Sequence, residues 1–134
     1  MKRTALKKVS KVPIVKLQKK IWDLCREITR KRYPKICYTC DKPLQSSRDM
    51  HTGHMWAKAA LGAYLKYDLR ILRIQCFTCN IWGGGRGADF YARMLKEIGP
   101  AAMRKLEKDR QITVKAYDHY LKVLKDYQEL IKTL

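Results

Sequence analysis

The residues with the clearest chemical potential are four cysteines in two CxxC motifs, at residues 37–40 and 76–79. Two residues between the cysteines of a motif let both sulfurs of a tight turn reach one tetrahedral ion. The spacing therefore predicts a structural zinc site. A closed site with four thiolates has no open coordination position, so any catalysis must use other residues. The predicted zinc ligands are Cys37, Cys40, Cys76 and Cys79.

Two further residues could carry out chemistry beside this zinc. His54 lies between the motifs, and Asn80 directly follows the last cysteine. Metal-dependent phosphodiester hydrolysis needs a general base for the attacking water and ligands that hold a cation at the phosphate. A neutral imidazole suits the first task and an amide oxygen the second. We predict His54 as the base and Asn80 as a metal ligand; the alternative is that His54 is an ordinary core or surface histidine.

The charge balance indicates a polyanionic partner. Thirty Lys and Arg residues against twelve Asp and Glu residues give a net charge of +18 over 134 residues. Such a charge favours DNA or RNA, and an anionic membrane surface second. No run of residues approaches the roughly 18 to 20 apolar residues that span a bilayer, and residues 1–18 lack the apolar core of a signal peptide. We therefore expect a soluble protein.

The fifth cysteine, Cys25, falls on the apolar side of a helical pattern. Four metal thiolates and one core thiol account for all five cysteines without a disulfide. This usage favours a reducing, cytoplasmic setting.

The chain is predicted to be a basic arm followed by one domain. Residues 1–12 carry several basic side chains and no acidic one, which is typical of a flexible arm. In the domain, residues 13–134, apolar spacing predicts a helix over 13–32, a zinc-centred core over 33–87 and further helices over 88–134. The predicted fold class is α+β: a small zinc-stapled ββα-metal core flanked by N-terminal and C-terminal helices.

Local signals refine this layout. Residues 55–66 predict a short helix or ordered loop and residues 69–74 a strand. Gly99 should end one helix, and Thr113 should cap the last, whose apolar stripe includes Leu121. We expect the first and last helices to pack on each other; a coiled-coil dimer through the last helix is the alternative.

The order CxxC, Gly-His, then CxxC followed by Asn resembles the HNH (ββα-metal) endonucleases. More narrowly, the chain resembles the phage NinG (Rap) recombination endonucleases. The matching stretches lie at residues 36–40, 53–55, 65–68, 75–80 and from 90 to the last helix. The resemblance implies a structure-specific DNA endonuclease that cuts branched recombination intermediates, such as Holliday junctions and D-loops, with a divalent metal such as Mg or Mn. If phage-encoded, the protein would act in the host cytoplasm.

By position, the resemblance assigns His54 to the general base and Asn80 to the final metal ligand of the HNH triplet. His51 stands where the family has Asp and is either a second metal ligand or a loop residue, and Asp68 is a weaker candidate ligand. Imidazole at position 51 would shift the preference towards Mn, Co, Ni or Zn.

The resemblance also has a departure. The middle asparagine of the triplet falls near Ile71, whose side chain cannot hold an imidazole by a hydrogen bond. A second function therefore stays open, that of a non-catalytic, zinc-stapled DNA-binding recombination accessory protein. A third is an RNA-directed zinc-ribbon protein.

Basic residues outside the motifs are candidates for phosphate contacts, which set affinity more than sequence choice. The glycine-rich residues 83–87 either let backbone N–H groups approach a phosphate or form a simple turn. Trp56 and Trp82 either pack beside the zinc or stack on a splayed base. The two-fold symmetry of junction DNA favours a homodimer. The candidate DNA-binding residues are Arg86, Lys58, Lys16, Lys19, Lys20 and Arg30.

Overall fold

The computed structural model describes residues 11–134, so residues 1–10 of the predicted arm lie outside the described part. Helices surround one small antiparallel sheet, in agreement with the predicted α+β class. None of the helices in the described part is long and apolar enough to cross a membrane. In chain order, the elements are α1 (Ile14–Arg32), β1 (His51–His54), α2 (Ala63–Lys66), β2 (Leu72–Gln75), a π-helical turn (Thr78–Trp82), α3 (Gly87–Asp109) and α4 (Ala116–Ile131).

Helices α1 and α4 pack against each other, as the apolar stripes predicted. The inner face of α1 carries Leu17, Ile21 and Cys25, which share one buried cluster with Tyr120 of α4. Cys25 is fully buried, and its Sγ donates to the Tyr67 carbonyl at 3.6 Å. Burial raises the pKa of the Cys25 thiol to about 12, so the thiol stays protonated. The prediction that Cys25 is a core residue is confirmed.

The two strands pair antiparallel across a long connection, residues 55–71. His51 faces Gln75 and His54 faces Leu72 in the register. The Gln75 side chain is fully buried and crosses Gly53, where a Cβ would lie 1.8 Å from Gln75 Oε1. Gln75 Nε2 donates to Thr39 Oγ1 at 3.0 Å and to the carbonyl of Gly85 at 2.8 Å. One amide thus ties the sheet to the first cysteine motif and to the glycine-rich loop.

The second strand begins later than the sequence predicts. Residues Leu69–Ile71 form a 3-10 turn, and β2 starts at Leu72. The reason is the Asp68 carboxylate, which accepts the backbone N–H of Arg70 at 2.9 Å and so favours a turn at this point.

The last helix also differs from its prediction. It begins at Ala116, with Lys115 at the N-cap position and no side-chain cap, so Thr113 does not cap it. The buried residue on its inner face is Tyr120 and not Leu121, which is 44% exposed. The aromatic ring of Tyr120 meets that of Tyr67 edge-on, with 5.5 Å between the centroids. Other residues of the predicted stripe, Tyr117, Leu124 and Tyr127, pack against the same cluster.

Helix α3 is interrupted where the sequence predicts a stop. Gly99 has φ 85° and ψ 165°, a backbone conformation outside the helical region that glycine adopts without a steric penalty. Helix α3 is held to the sheet by the buried guanidinium of Arg73, which donates to Glu97 at 2.5 Å. The same guanidinium lies over the rings of Tyr33 and Tyr38, 4.6 and 5.5 Å from their centroids.

Because the Gln75 side chain crosses Gly53, position 53 should not tolerate a larger side chain. Gly53→Ala should lower the free energy of unfolding by about 1–3 kcal/mol, because the new Cβ displaces a buried, hydrogen-bonded amide. Gly62→Ala is the matched control, since a Cβ there meets nothing within 4 Å. Thermal unfolding of the zinc-loaded variants checks this. Equal stability of the two variants would contradict the interpretation of Gly53.

Candidate functional site

The four motif cysteines come together into one cluster. Their sulfurs all lie within 4.8 Å of one another, and the Cys40 and Cys76 sulfurs are 3.8 Å apart. Zn–S bonds of about 2.3 Å at tetrahedral angles place sulfurs roughly 3.8 Å apart, so the cluster has the dimensions of a zinc site. Within residues 11–134, no other group of three or more Cys, His, Asp or Glu side chains meets in this way.

Each motif folds as a tight turn that points its sulfurs inward. In the first, Asp41 adopts a left-handed conformation with φ 63°, and its N–H donates to the Cys37 carbonyl at 2.9 Å. In the second, the N–H of Cys79 donates to the Cys76 sulfur at 3.3 Å, and the N–H of Asn80 donates to the Cys76 carbonyl at 2.9 Å. The backbone position of Asn80 is therefore fixed by the second motif.

The electrostatics of the cluster suit a cation. Burial opposes ionisation of Cys37, but hydrogen bonds from the backbone of Cys76, Thr39 and Cys40 and from the Thr39 hydroxyl together lower its pKa to about 6. Burial and hydrogen bonds to the neighbouring thiols raise the pKa of Cys40 to about 12. Sulfurs this close cannot all carry negative charge unless a divalent ion neutralises them. The donor set and its spacing fit zinc.

His54 ends strand β1 in a defined orientation. Its Nε2 lies 2.9 Å from the carbonyl oxygen of Lys66, which can only accept, so Nε2 carries the proton. The ring stacks on Trp22 of α1 with 5.2 Å between centroids and 14° between planes. Burial lowers the pKa of His54 and outweighs the hydrogen bond to the Lys66 carbonyl, which raises it; the nearby charges of Lys58 and Lys66 lower it further. The ring is thus neutral near pH 7, with Nδ1 as its unprotonated nitrogen.

His51 and Asn80 meet at the other end of strand β1. The Asn80 amide donates to His51 Nδ1 at 3.0 Å, while His51 Nε2–H donates to the Arg48 carbonyl at 3.1 Å. The Phe77 ring stands edge-on to His51 with 5.4 Å between centroids. Two of the predicted metal ligands are therefore neighbours. His54 lies three positions further along the strand, so its side chain is on the opposite face. In the described part of the chain it makes no hydrogen bond to His51 or Asn80.

A cleft of about 280 Å³ lies beside the His51 and Asn80 pair. Its walls include Trp22, the residue on which His54 stacks, so one indole borders both the cleft and the candidate base. The hydroxyl of Thr52, which also lines the cleft, is buried and has no hydrogen-bond partner among residues 11–134. Three arginines make the cleft basic: Arg26, Arg30 and Arg48.

Two other predicted positions lie apart from this cleft. Both carboxylate oxygens of Asp68 are bonded to Arg70, at 3.0 and 2.8 Å. Ile71 is fully buried in the apolar core, and its carbonyl accepts the N–H of Met55 at 3.0 Å. The Lys66 carbonyl therefore makes the contact with the His54 ring that a side chain at position 71 cannot make.

The candidate DNA-binding residues differ in their surroundings. Lys58 lies over the Trp22 ring, 4.6 Å from its centroid, and Arg30 donates to the Met50 carbonyl at 3.3 Å. Arg86 has a left-handed backbone with φ 50° and an exposed side chain. Three lysines of α1 are exposed: Lys16, Lys19 and Lys20.

Three contributors to the site are absent from the sequence predictions. Trp22 has no motif signal, because the spacing of apolar residues places it on a helix without showing what it meets. The Lys66 contact uses a backbone atom, which residue types do not reveal. Thr52 has one weak signal, its position between the two histidines of strand β1.

The sequence model of one known family, described as Bacteriophage Lambda NinG protein, matches residues 1–134. The match therefore includes helices α1 and α4 as well as the cysteine and histidine motifs. No curated protein and no solved structure matches the chain.

The cysteine cluster predicts one zinc ion per chain. Cys40→Ser should lose most of the bound zinc and much of the stability, because a structural site needs all four ligands. Cys25→Ser is the matched control: it keeps a hydrogen-bond donor in the core and should retain the zinc. Metal analysis of both purified variants checks this, and full zinc occupancy in Cys40→Ser would contradict the assignment.

Proposed function

The chain belongs to the NinG family, whose members are related to phage recombination, and from that premise we propose that it is a metal-dependent endonuclease of the HNH type. Its substrates would be branched recombination intermediates, such as Holliday junctions and D-loops. The proposed site of action is the host cell cytoplasm.

The observation that carries this proposal is the environment of His54. A general base must be neutral near pH 7 and must hold an unprotonated nitrogen in a fixed direction. The Lys66 carbonyl fixes the proton on Nε2, the Trp22 ring fixes the plane of the imidazole, and burial keeps it neutral. Such a ring can take a proton from a water molecule through Nδ1.

The proposed holder of the catalytic cation is the pair His51 and Asn80. Half a turn of the Asn80 amide would place its oxygen, in place of its nitrogen, near His51 Nδ1, where these atoms are now 3.0 Å apart. Thr52, whose buried hydroxyl has no hydrogen-bond partner among residues 11–134, also lines this cleft. A cation such as Mg or Mn would complete its shell with water and phosphate oxygens, and would supply Lewis-acid stabilisation of the phosphate.

The surrounding charges support a phosphate partner. Arg26, Arg30 and Arg48 line the cleft, and a guanidinium binds phosphate oxygens through paired N–H groups. These contacts would hold the backbone of DNA without reading its bases. A branched substrate, recognised by shape, fits such a site.

A non-catalytic DNA-binding accessory protein is the second candidate. The observation that favours it is at position 71, where the family pattern has an amide and this chain has a fully buried isoleucine. The separation of His54 from the His51 and Asn80 pair points the same way, because the base and the cation must act on one phosphate.

His54→Ala should reduce cleavage of a labelled four-way junction by about 10²–10⁴-fold, the usual contribution of a general base. His119→Ala is the matched control and should cut normally, because this histidine lies beside Tyr64 and Tyr120, away from the cleft. Metal dependence should be tested by withholding and restoring Mg²⁺ or Mn²⁺, since a strong chelator would also strip the zinc. Wild-type cutting by His54→Ala would refute the base assignment. Failure of the wild-type protein to nick junction, duplex or single-stranded DNA would favour the accessory protein.

The pH dependence of cleavage should report the pKa of His54. Only the neutral ring is a base, so activity is lost as pH falls through this pKa. Because burial lowers the pKa, the acid limb of kcat/KM should lie below about pH 6.5, the ordinary value for histidine. Lys58→Gln should move the limb to higher pH, since it removes a charge that disfavours protonation. Single-turnover rates from about pH 5 to 8 measure this, and a limb above pH 7 would contradict it.

A further inference from the structure

The π-helical turn that contains Cys79, together with Phe77 just before it, presents three apolar side chains to solvent. These form what we call the apolar tip: Phe77, Ile81 and Trp82. Their exposed fractions are 43%, 54% and 79%. The value for Trp82 is the highest of any large apolar side chain in residues 11–134. An exposed indole does not gain the large favourable free energy that burial of its surface would provide. A cluster of this kind beside a candidate site indicates a contact surface.

Hydrogen bonds fix the backbone that carries the apolar tip. The N–H of Phe77 donates to Asp49 Oδ1 at 2.8 Å, and the N–H of Gly83 donates to the Thr78 carbonyl at 2.8 Å. The turn is also fixed through Cys79 in the sulfur cluster and through Asn80, which bonds His51. The backbone that carries Trp82 therefore has little freedom left to lose when a partner binds.

The surroundings of Trp82 leave room for a flat group and supply positive charge. Gly84 and Gly85 follow it with positive φ values, and a Cβ at either would meet open space. The exposed cation of Arg86 follows these glycines, and Arg48 lies by the cleft on the Asn80 side.

The other two tryptophans already have partners. The Trp22 ring is stacked on His54 and lies under Lys58, and the Trp56 ring lies under Arg110, 4.4 Å from its centroid. Among the described residues, no aromatic ring and no cation stacks on Trp82. Of the two tryptophans that lie close in sequence to His54 and Asn80, only Trp82 is free for an external ring among the described residues.

We propose that the apolar tip is a wedge that enters a DNA branch point, where Trp82 stacks on a base face exposed between the helical arms, beside the cleft. The occupant is DNA because the chain carries a net charge of +18 and the adjoining cleft has three arginines. Stacking on an aromatic ring tolerates any base. A linear duplex exposes base faces only at its ends, whereas an open branch point also exposes them between its arms. The wedge thus selects branched over linear DNA. The proposal depends on the proposed function for a DNA partner at the cleft, but not on cleavage.

The test measures binding of the zinc-loaded full chain in buffer without Mg²⁺ or Mn²⁺, using fluorescence anisotropy. The DNA probes are a four-way junction, a single strand and a linear duplex of equal length. Trp82→Ala should weaken binding to the junction and the single strand about tenfold, and to the duplex less than twofold. Trp82→Phe should keep most of the affinity. Val15→Ala, which trims an exposed apolar residue of α1, is the matched control and should bind like wild type.

A 2-aminopurine at the branch point supplies a second measurement. Its fluorescence should change when wild-type protein binds and should stay unchanged with Trp82→Ala. Unaltered junction affinity in Trp82→Ala, or an equal loss on all three probes, overturns the wedge. So does an absence of any junction binding by the wild-type chain. Sedimentation showing a wild-type dimer and a Trp82→Ala monomer would instead assign the tip to a second copy of the chain.

The proposed wedge and the proposed nuclease activity can be refuted independently. Junction cleavage that needs His54 but not Trp82 would remove only the wedge. Binding of branched DNA that needs Trp82, without cleavage under any metal, would remove only the nuclease.

Discussion

The clustering of four cysteine sulfurs is the constraint on which the site depends. It joins residues 37–40 to residues 76–79, and both strands of the sheet lie between them. Because Asn80 directly follows the last cysteine and bonds His51, the cluster sets the start of strand β1 as well. Four thiolates this close would need a divalent cation, so metal binding would also fix the end of the candidate site at which Asn80 meets His51.

The two histidines of strand β1 differ in the hydrogen bonding of their Nδ1 atoms. Both carry the proton on Nε2, through the carbonyls of Lys66 and Arg48. Nδ1 of His51 is already bonded to Asn80, whereas Nδ1 of His54 has no hydrogen bond within the described residues. Both ring nitrogens of His51 are therefore hydrogen-bonded, whereas only one ring nitrogen of His54 is. Contacts outside the motifs create this difference.

The sequence predicted features that follow from residue type and spacing. The sulfur cluster, the packing of α1 on α4, the burial of Cys25 and the break at Gly99 are all of this kind. Local features that depend on single side chains were missed: Asp68 turns the chain before β2, and Tyr120 is buried where Leu121 was expected. The support of His54 by Trp22 and Lys66 was also beyond prediction, because it joins elements distant in sequence through a ring face and a backbone carbonyl.

The packing of α1 on α4 has a consequence for the order in which the protein folds during synthesis. Trp22 reaches His54 from α1, and α1 is buried largely against α4, from the other end of the chain. Contacts between such distant segments form late, because closing a long loop costs entropy before any contact offsets it. During synthesis the sulfur cluster can assemble once residue 79 has emerged, whereas the packing of α1, which carries Trp22, is complete only after α4 appears. A nascent chain would thus be able to bind metal before the helix that supports His54 is fully packed.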